Sequence, residues 1–121
     1  MIRVAIIDDE VASVTILAEG LSKLKDFQVT TFTNPITAVS AIRPNSVDVV
    51  LCDIVMPQMD GIEVLERIKD KHPDIVVIMI TAQSTLDRVL HSHKVGADHY
   101  ILKPFGNIAQ IGQKIVSLLK K

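Results

Sequence analysis

The sequence predicts an α/β protein whose parallel strands alternate with helices. Short apolar runs recur along the 121-residue chain, and each is followed by a longer segment with apolar residues at helical spacing. Five such strand–helix repeats, joined by short connections, account for the chain. This alternation is typical of a parallel sheet with helices on both faces, and right-handed crossovers leave few topologies for it.

The first two repeats occupy the N-terminal third of the chain. The apolar run at residues 4–7 predicts the first strand, and the helical spacing of residues 11–24 predicts the helix after it. Residues 27–32 are enriched in β-branched and aromatic side chains, which favours a strand. Asn34 and Pro35 are the residue types expected at the cap and in the first turn of the next helix.

The middle of the chain predicts two buried strands around a third helix. Residues 47–52 are apolar apart from Asp48, and Asp60 is expected to cap a helix over residues 61–71. Residues 75–80 are six consecutive apolar side chains, five of them β-branched. Such a run is expected for a strand that helices cover on both faces.

The C-terminal part predicts two further helices around a short strand. Ser84 is expected to cap the fourth helix, which ends near Gly96 because glycine accepts the left-handed conformation that stops a helix. Residues 100–102 predict the last strand, and residues 107–119 predict an amphipathic final helix. Gly112 inside that helix is expected to weaken it.

Length and composition predict one domain over residues 1–121, without a linker or a low-complexity segment. Hydrophobic residues make up 48% of the chain, which is enough for a core, and aromatic residues only 3%, so that the core must be aliphatic. Cys52 is the only cysteine, which excludes an intrachain disulfide and a cysteine-based zinc site.

Charge and hydropathy give no indication of nucleic-acid or membrane binding. The formal net charge is −1, and no run of lysine or arginine stands out. No segment reaches the ~18 apolar residues of a membrane span, and no signal peptide precedes the first strand. We therefore expect a cytoplasmic protein.

Polar side chains suited to metal and phosphate follow four of the predicted strands. Ligands of open α/β sheets bind at the carboxyl ends of the strands, so these residues are expected to share one crevice. They are Asp8, Asp9 and Glu10 after the first strand, Asp53 after the third, Thr81 after the fourth, and Lys103 with Pro104 after the fifth. Crowded carboxylates require a cation, and oxygen ligands without His or Cys favour Mg²⁺. With an ammonium and a hydroxyl beside them, they predict a site for phosphoryl transfer.

Each of these residues has a common structural explanation when it is considered alone. Aspartates at strand ends often cap helices, Thr81 alone suggests a turn hydroxyl, and Lys103 alone suggests a solvated surface charge. Their occurrence at the ends of four different strands is what favours a functional site.

The same residues resemble the motifs of two-component response regulator receiver domains, including those of chemotaxis regulators. The matching blocks are Asp8-Asp9, Asp53-Ile54-Val55-Met56-Pro57-Gln58-Met59-Asp60-Gly61, Thr81-Ala82 and Tyr100-Ile101-Leu102-Lys103-Pro104-Phe105. The similarity covers residues 3–119, with the blocks in the family's order. It implies a flavodoxin-like, doubly wound sheet of five parallel strands in the order 2-1-3-4-5, with five helices.

The resemblance implies that Asp53 accepts a phosphoryl group from the phosphohistidine of a sensor histidine kinase or a phosphotransfer protein. Mg²⁺ is the implied cofactor, bound directly by Asp9, by Asp53 and by the backbone carbonyl of Val55, with Asp8 holding metal-bound water. The protein is thus expected to be a signalling domain of a bacterial two-component system and not an enzyme, although it catalyses its own phosphorylation and dephosphorylation.

The resemblance also implies how the site reaches a partner. Lys103 contacts the phosphoryl group, and its bond to Pro104 is expected to be a cis peptide. Thr81 follows the phosphoryl group inward, and Tyr100 then turns inward, which changes the surface of the fourth helix, fifth strand and fifth helix. Without the resemblance, Tyr100 is interpreted as a half-buried strand residue with its hydroxyl in water.

Two further features of the sequence concern the partner that receives the signal and the lifetime of the phosphoryl group. Receivers attached to winged-helix DNA-binding domains often carry acidic and arginine residues along the last helix, whereas residues 106–114 are nearly uncharged here. The salt-bridged dimer of that subgroup is therefore not expected, and the output domain or effector protein stays unidentified. Val55 and Gln83 occupy positions that tune the lifetime of the phosphoryl group in this family.

Other functions fit the pattern less well. Receiver-like modules that bind partners without phosphorylation usually lack one of the key residues, and none is missing here. A Mg²⁺-dependent phosphatase of the haloacid-dehalogenase type needs two acids two positions apart after the first strand, whereas Asp8 and Asp9 are adjacent. A flavodoxin needs hydroxyl and amide groups in its first loop, not three acids.

Overall fold

The computed structural model describes residues 1–81 and 86–120, which form a five-stranded parallel sheet and five helices. The elements in chain order are β1 (Ile2–Ile7), α1 (Val11–Ser22), β2 (Phe27–Phe32), α2 (Pro35–Ala41), β3 (Val49–Asp53), α3 (Gly61–Lys71), β4 (Val76–Thr81), α4 (Leu86–Val95), β5 (His99–Leu102) and α5 (Ile108–Leu119). The strand order is β2-β1-β3-β4-β5, which confirms the implied topology. Within the described residues, no helix combines the length and the hydropathy needed to cross a membrane.

The strands and helices are those predicted, and the differences concern their ends. α1 ends at Ser22, two residues earlier than predicted, and β3 and β4 each end one residue later. Hydrogen bonding to the neighbouring strand sets these strand ends, as in the register that pairs Asp53 with Ile80. Asp53 and Thr81 are therefore the last residues of β3 and β4. The predicted cap Ser84 lies outside the described residues.

Side chains cap three of the helices. The side-chain oxygens of Asn34, Asp60 and Asn107 each accept a hydrogen bond from the backbone N–H two residues later, at 2.8 to 2.9 Å. Each cap satisfies a donor that has no partner inside the helix. The caps predicted at Asn34 and Asp60 are confirmed, whereas Asn107, predicted as the first residue of the last helix, is its cap.

The core consists of two aliphatic layers, one on each face of the sheet. One face packs against α2, α3 and α4, and the other packs against α1 and α5. Gly20 and Gly112 let α1 and α5 approach their neighbours closely. A Cβ at Gly20 would lie 2.7 Å from the side chain of Ile108, and one at Gly112 would lie 2.7 Å from the side chain of Leu24. Gly112, which is expected from the sequence to weaken α5, therefore lies at a close contact of the helix with Leu24.

A polar contact connects α3 to the starts of β4 and β5. Asp98 Oδ2 accepts hydrogen bonds from the backbone N–H of Val77 at 2.8 Å and from the ammonium of Lys69 at 2.9 Å. The same ammonium donates to the carbonyl of Ile75 at 2.8 Å. This network lies at the end of the sheet where β4 and β5 begin. Asp53 and Thr81 lie at the opposite end.

Asp98→Ala is expected to lower the free energy of unfolding by about 1–3 kcal/mol, because it leaves the N–H of Val77 without its acceptor. Lys69→Met is expected to cost less, since the N–H of Val77 keeps its acceptor and the losses are an ion pair with Asp98 and a hydrogen bond to the carbonyl of Ile75. Urea denaturation measures both changes. Equal losses would show that the backbone hydrogen bond is not the main stabilising contact of Asp98.

Candidate functional site

Three carboxylates converge where β1 and β3 end. Because Ile7 pairs in register with Cys52, the residues that follow, Asp8 and Asp53, lie side by side at one edge of the sheet. Asp8 is fully buried and Asp53 is 7% exposed. One oxygen each from Asp8, Asp9 and Asp53 lies within 4.8 Å of the others. Like charges this close repel strongly when they are shielded from water.

The oxygen atoms around Asp8 fit a hard divalent cation. Asp8 Oδ1 accepts the backbone N–H of Glu10 at 2.9 Å. Asp8 Oδ2 is buried and forms an ion pair with the ammonium of Lys103 at 3.1 Å, but it accepts no hydrogen bond within residues 1–81 and 86–120. A buried oxygen without a hydrogen bond is costly, and a cation would satisfy it. The all-oxygen set of Asp8, Asp9 and Asp53 is the kind that Mg²⁺ prefers.

Lys103 extends its ammonium group into the same cluster. Its backbone N–H donates to the carbonyl of Thr81 at 2.8 Å, which holds the residue after β5 against the end of β4. The peptide bond between Lys103 and Pro104 is cis. The Nζ atom lies 2.8 Å from Glu10 Oε1 and 3.7 Å from Asp53 Oδ2. The ammonium is therefore closer to Glu10 than to the predicted acceptor.

Burial and charge shift the pKa values of these groups in different directions. Burial and the neighbouring charge of Asp8 raise the pKa of Asp53 to about 7, although the ammonium of Lys103 lowers it in part. Hydrogen bonds from Lys103 and Ser13 lower the pKa of Glu10, which is ionised at neutral pH. Burial lowers the pKa of Lys103, but its hydrogen bond to Glu10 and its ion pairs with Asp8 and Asp53 outweigh burial and leave that pKa raised.

Gly61 packs directly against the backbone of Asp53. Its N–H donates to the carbonyl of Ile54 at 2.8 Å, and a Cβ at this position would overlap the carbonyl oxygen of Asp53. Only glycine allows an approach this close. The preceding residue, Asp60, caps α3 and forms an ion pair with Arg88 of α4. The loop after β3 is thus held between β3 and the helices α3 and α4.

The other predicted site residues lie in different surroundings. Thr81 is 2% exposed at the end of β4, and Val55 is 57% exposed in the loop after β3. Tyr100 is 46% exposed on β5, and its ring stacks on the imidazole of His99 with 5.7 Å between the ring centroids. Gln83 lies outside the described residues.

Two features of the site were not identified from the sequence. The first is the contact between Glu10 and Lys103, although Glu10 directly follows the acidic pair and was expected near the crevice. The second is the close approach of Gly61 to Asp53. The Asp60-Gly61 pair in the acceptor motif was a signal for a special backbone position, but nothing local indicated what the glycine would touch.

Comparisons with known proteins identify the family. The response regulator receiver domain family matches residues 4–116. The chain is 34% identical over 119 residues to the transcriptional regulatory protein QseB of Haemophilus influenzae, covering 98% of this chain and 53% of that protein. It is 37% identical over 100 residues to the DNA-binding transcriptional regulator NtrC of Escherichia coli K12, covering 83% of this chain and 21% of that protein. A response regulator receiver domain protein from Clostridium thermocellum has a similar structure, with a TM-score of 0.89 at 26% identity, covering 99% of this chain and 95% of that one.

The doubly wound sheet and its acidic edge thus occur in a chain whose sequence matches one family over nearly its whole length. The chain belongs to the response regulator receiver domain family of two-component signalling systems. Domains of this family act between histidine kinases and output domains. The chain spans about half the length of QseB and about a fifth of NtrC, both of which are transcriptional regulators.

Burial of Asp53 and its repulsion by Asp8 predict that Asp53→Asn stabilises the metal-free protein above neutral pH. The folded-state pKa of about 7 lies above the ordinary value of 3.8, so the wild type loses stability as the pH rises from the lower value to the higher one. Asparagine does not ionise and avoids this loss. We expect a gain of about 1–2 kcal/mol after allowance for screening by solvent.

Urea denaturation at about pH 4 and about pH 8 measures this effect. The gain should be small at the lower pH, full at the higher pH, and reduced by Mg²⁺, which relieves the repulsion in the wild type. Asp70→Asn makes the same chemical change on the exposed surface of α3 and serves as the control. A gain that does not depend on pH would show that ionisation of the buried Asp53 carboxylate is not its cause.

Proposed function

We propose that Asp53 accepts a phosphoryl group from the phosphohistidine of a sensor histidine kinase or a phosphotransfer protein. The observation that carries this proposal is the convergence of three carboxylates and the ammonium of Lys103 around Asp53. Membership of the receiver family supports it. The module so defined extends over residues 1–121 and acts on its own carboxylate, so it is a signalling domain and not an enzyme with a separate substrate.

The proposed reaction forms an acyl phosphate on Asp53. An oxygen of the ionised carboxylate attacks phosphorus while the phosphorus–nitrogen bond of the phosphohistidine breaks. The imidazole leaves with the bonding electron pair and takes up a proton. Lys103, whose ammonium is 3.7 Å from the carboxylate, neutralises charge on the phosphoryl oxygens. The signal ends by hydrolysis: water attacks phosphorus and releases inorganic phosphate and the free carboxylate.

Asp8, Asp9 and Asp53 are the side chains that would hold Mg²⁺. We assign direct coordination to Asp9, to Asp53 and to the backbone carbonyl of Val55, and we assign metal-bound water to Asp8. When bound, Mg²⁺ neutralises charge on the carboxylates and on the phosphoryl oxygens. With the repulsion from Asp8 reduced, Asp53 is ionised at neutral pH, as a nucleophile must be.

Phosphorylation is proposed to change the surface that α4, β5 and α5 form. It adds about −1.5 to −2 charges at neutral pH. The hydroxyl of Thr81 moves towards the phosphoryl group, and Tyr100 then turns inward. Tyr100 and Leu102 lie on the same side of β5 and are 46% and 43% exposed, and Leu90 of α4 is 58% exposed. Exposed apolar side chains of this kind suit a protein partner whose affinity differs between two conformations.

Val55 and Gln83 are proposed to influence the lifetime of the acyl phosphate. Val55 is exposed beside the acceptor strand and brings no acid or amide that could orient an attacking water. Gln83 carries an amide that is able to do so. Because hydrolysis requires water aligned with the phosphorus, these two side chains affect how long the signal persists.

We expect the protein to gain the mass of one phosphoryl group when it is incubated with Mg²⁺ and acetyl phosphate. The adduct should be acid-stable and base-labile, because it is an acyl phosphate, and a chelator should prevent it. Intact-mass spectrometry measures the gain. Asp53→Asn should abolish it and Asp70→Asn should preserve it, whereas an adduct that persists in Asp53→Asn would assign the acceptor to another residue.

Beryllofluoride with Mg²⁺ is expected to shift amide resonances near Asp53 and also along β5 as far as Tyr100. Thr81→Ala should retain the shifts near Asp53 and diminish those at Tyr100 and in α4, because the hydroxyl that follows the phosphoryl group is missing. Two-dimensional amide NMR measures both sets. Full shifts at Tyr100 in Thr81→Ala would show that Thr81 does not connect the site to that surface.

A second candidate function is an interaction module that works without phosphorylation. The apolar side chains of Leu90, Tyr100 and Leu102 are exposed without a phosphoryl group, which favours this alternative. Its signature would be Mg²⁺ binding with neither a mass gain nor shifts at Tyr100. The complete set of acceptor-site residues favours the phosphorylated receiver.

A further inference from the structure

Among the residues that the structure describes, Glu10 lies closest to the ammonium of Lys103. Glu10 Oε1 lies 2.8 Å from Nζ, whereas Asp8 Oδ2 lies at 3.1 Å and Asp53 Oδ2 at 3.7 Å. Glu10 is not one of the three residues whose oxygens converge on a common point. Lys103 is thus held by a carboxylate outside the cluster that surrounds the phosphoryl acceptor.

The carboxylate of Glu10 is itself held in place. Its Oε1 atom accepts a hydrogen bond from the hydroxyl of Ser13 at 2.9 Å, and the backbone N–H of Glu10 donates to Asp8 Oδ1 at 2.9 Å. Glu10 precedes the first turn of α1, but its side chain forms no capping hydrogen bond with the helix. The helix therefore does not need this carboxylate, and its strongest interactions are with Lys103 and Ser13.

Glu10 also faces the solvent from which a phosphodonor enters. Its side chain is 62% exposed, whereas the side chains of Lys103 and Asp53 are 20% and 10% exposed. Phosphodonors such as acetyl phosphate are anions. A fourth carboxylate at the entrance repels them before they reach Asp53.

We propose that Glu10 holds Lys103 away from Asp53 in the unphosphorylated protein and thereby limits the rate at which Asp53 is phosphorylated. The inference rests on the proposed function of Asp53. The phosphoryl oxygens require the ammonium that Glu10 engages, so phosphorylation exchanges the Glu10–Lys103 contact for a contact between Lys103 and the phosphoryl group. Removing the charge of Glu10 therefore favours phosphorylation in two ways. It frees Lys103 for the phosphoryl group, and it weakens the repulsion of an anionic donor.

Glu10→Gln keeps the size of the side chain and removes its charge. We expect it to raise the rate constant of phosphorylation by acetyl phosphate about two- to fivefold at low salt, because an exposed ion pair contributes modestly. The increase should be smaller at high salt, which screens the charge. Glu19→Gln makes the same change on the exposed surface of α1, about two and a half helical turns from Glu10, and should leave the rate unchanged.

Ser13→Ala tests whether the position of the Glu10 carboxylate matters in addition to its charge. It removes the hydroxyl that orients the carboxylate and leaves every charge in place. A smaller increase in the same direction is expected, since Glu10 then holds Lys103 less firmly. Intact-mass time courses with Mg²⁺ and acetyl phosphate measure the rate in all four proteins.

The ammonium of Lys103 gives a readout that does not depend on phosphorylation. In the metal-free wild type, the contact with Glu10 should slow the exchange of its protons with water, and Glu10→Gln should broaden or abolish its NMR signal. An unchanged signal overturns the inference, and so does a rate in Glu10→Gln that is equal to or lower than the wild-type rate. If the wild type gains no phosphoryl group at all, the proposed function itself fails, which the Asp53→Asn comparison distinguishes from a failure of the Glu10 effect.

Discussion

Repulsion between the carboxylates of Asp8 and Asp53 is the interaction on which the arrangement of the site depends. The parallel register of β1 and β3 places these residues side by side, and burial removes the water that would screen them. The ammonium of Lys103 offsets part of the repulsion, whereas burial and the neighbouring charge of Asp8 together raise the pKa of Asp53 to about 7. The proposed Mg²⁺ would neutralise this negative charge and relieve the repulsion.

The rest of the fold keeps this unfavourable arrangement in place. β3 is buried along its whole length between two aliphatic layers, and this packing keeps its last residue, Asp53, beside β1. Gly61 packs against the backbone of Asp53 from the other side. Functional sites are commonly held in unfavourable geometry by a well-packed surrounding structure, and here the packing of strands and of one glycine has that role.

Contacts also extend from the acceptor to the surface that is proposed to change. Gly61 touches the backbone of Asp53, and its neighbour Asp60 forms an ion pair with Arg88 of α4. On the other side, the backbone of Lys103 is hydrogen-bonded to Thr81. Asp53 is therefore connected to α4 through the loop after β3, and to β5 through the end of β4. A group added to Asp53 would act on both connections, which gives a physical basis for the proposed change in α4 and β5.

The sequence by itself determined the fold class, the acidic edge and two of the helix caps. Hydrophobic periodicity and capping are local properties, which is why residues 27–32 and 61–71 were predicted with the bounds that the structure has. Only the tertiary structure decided where β3 and β4 end, because ladder hydrogen bonds to neighbouring strands set those ends. It also decided that Gly112 packs closely against Leu24, and that the ammonium of Lys103 lies closer to Glu10 than to Asp53. These contacts join residues far apart in the chain, and their distances follow from strand order and register, which no local pattern encodes.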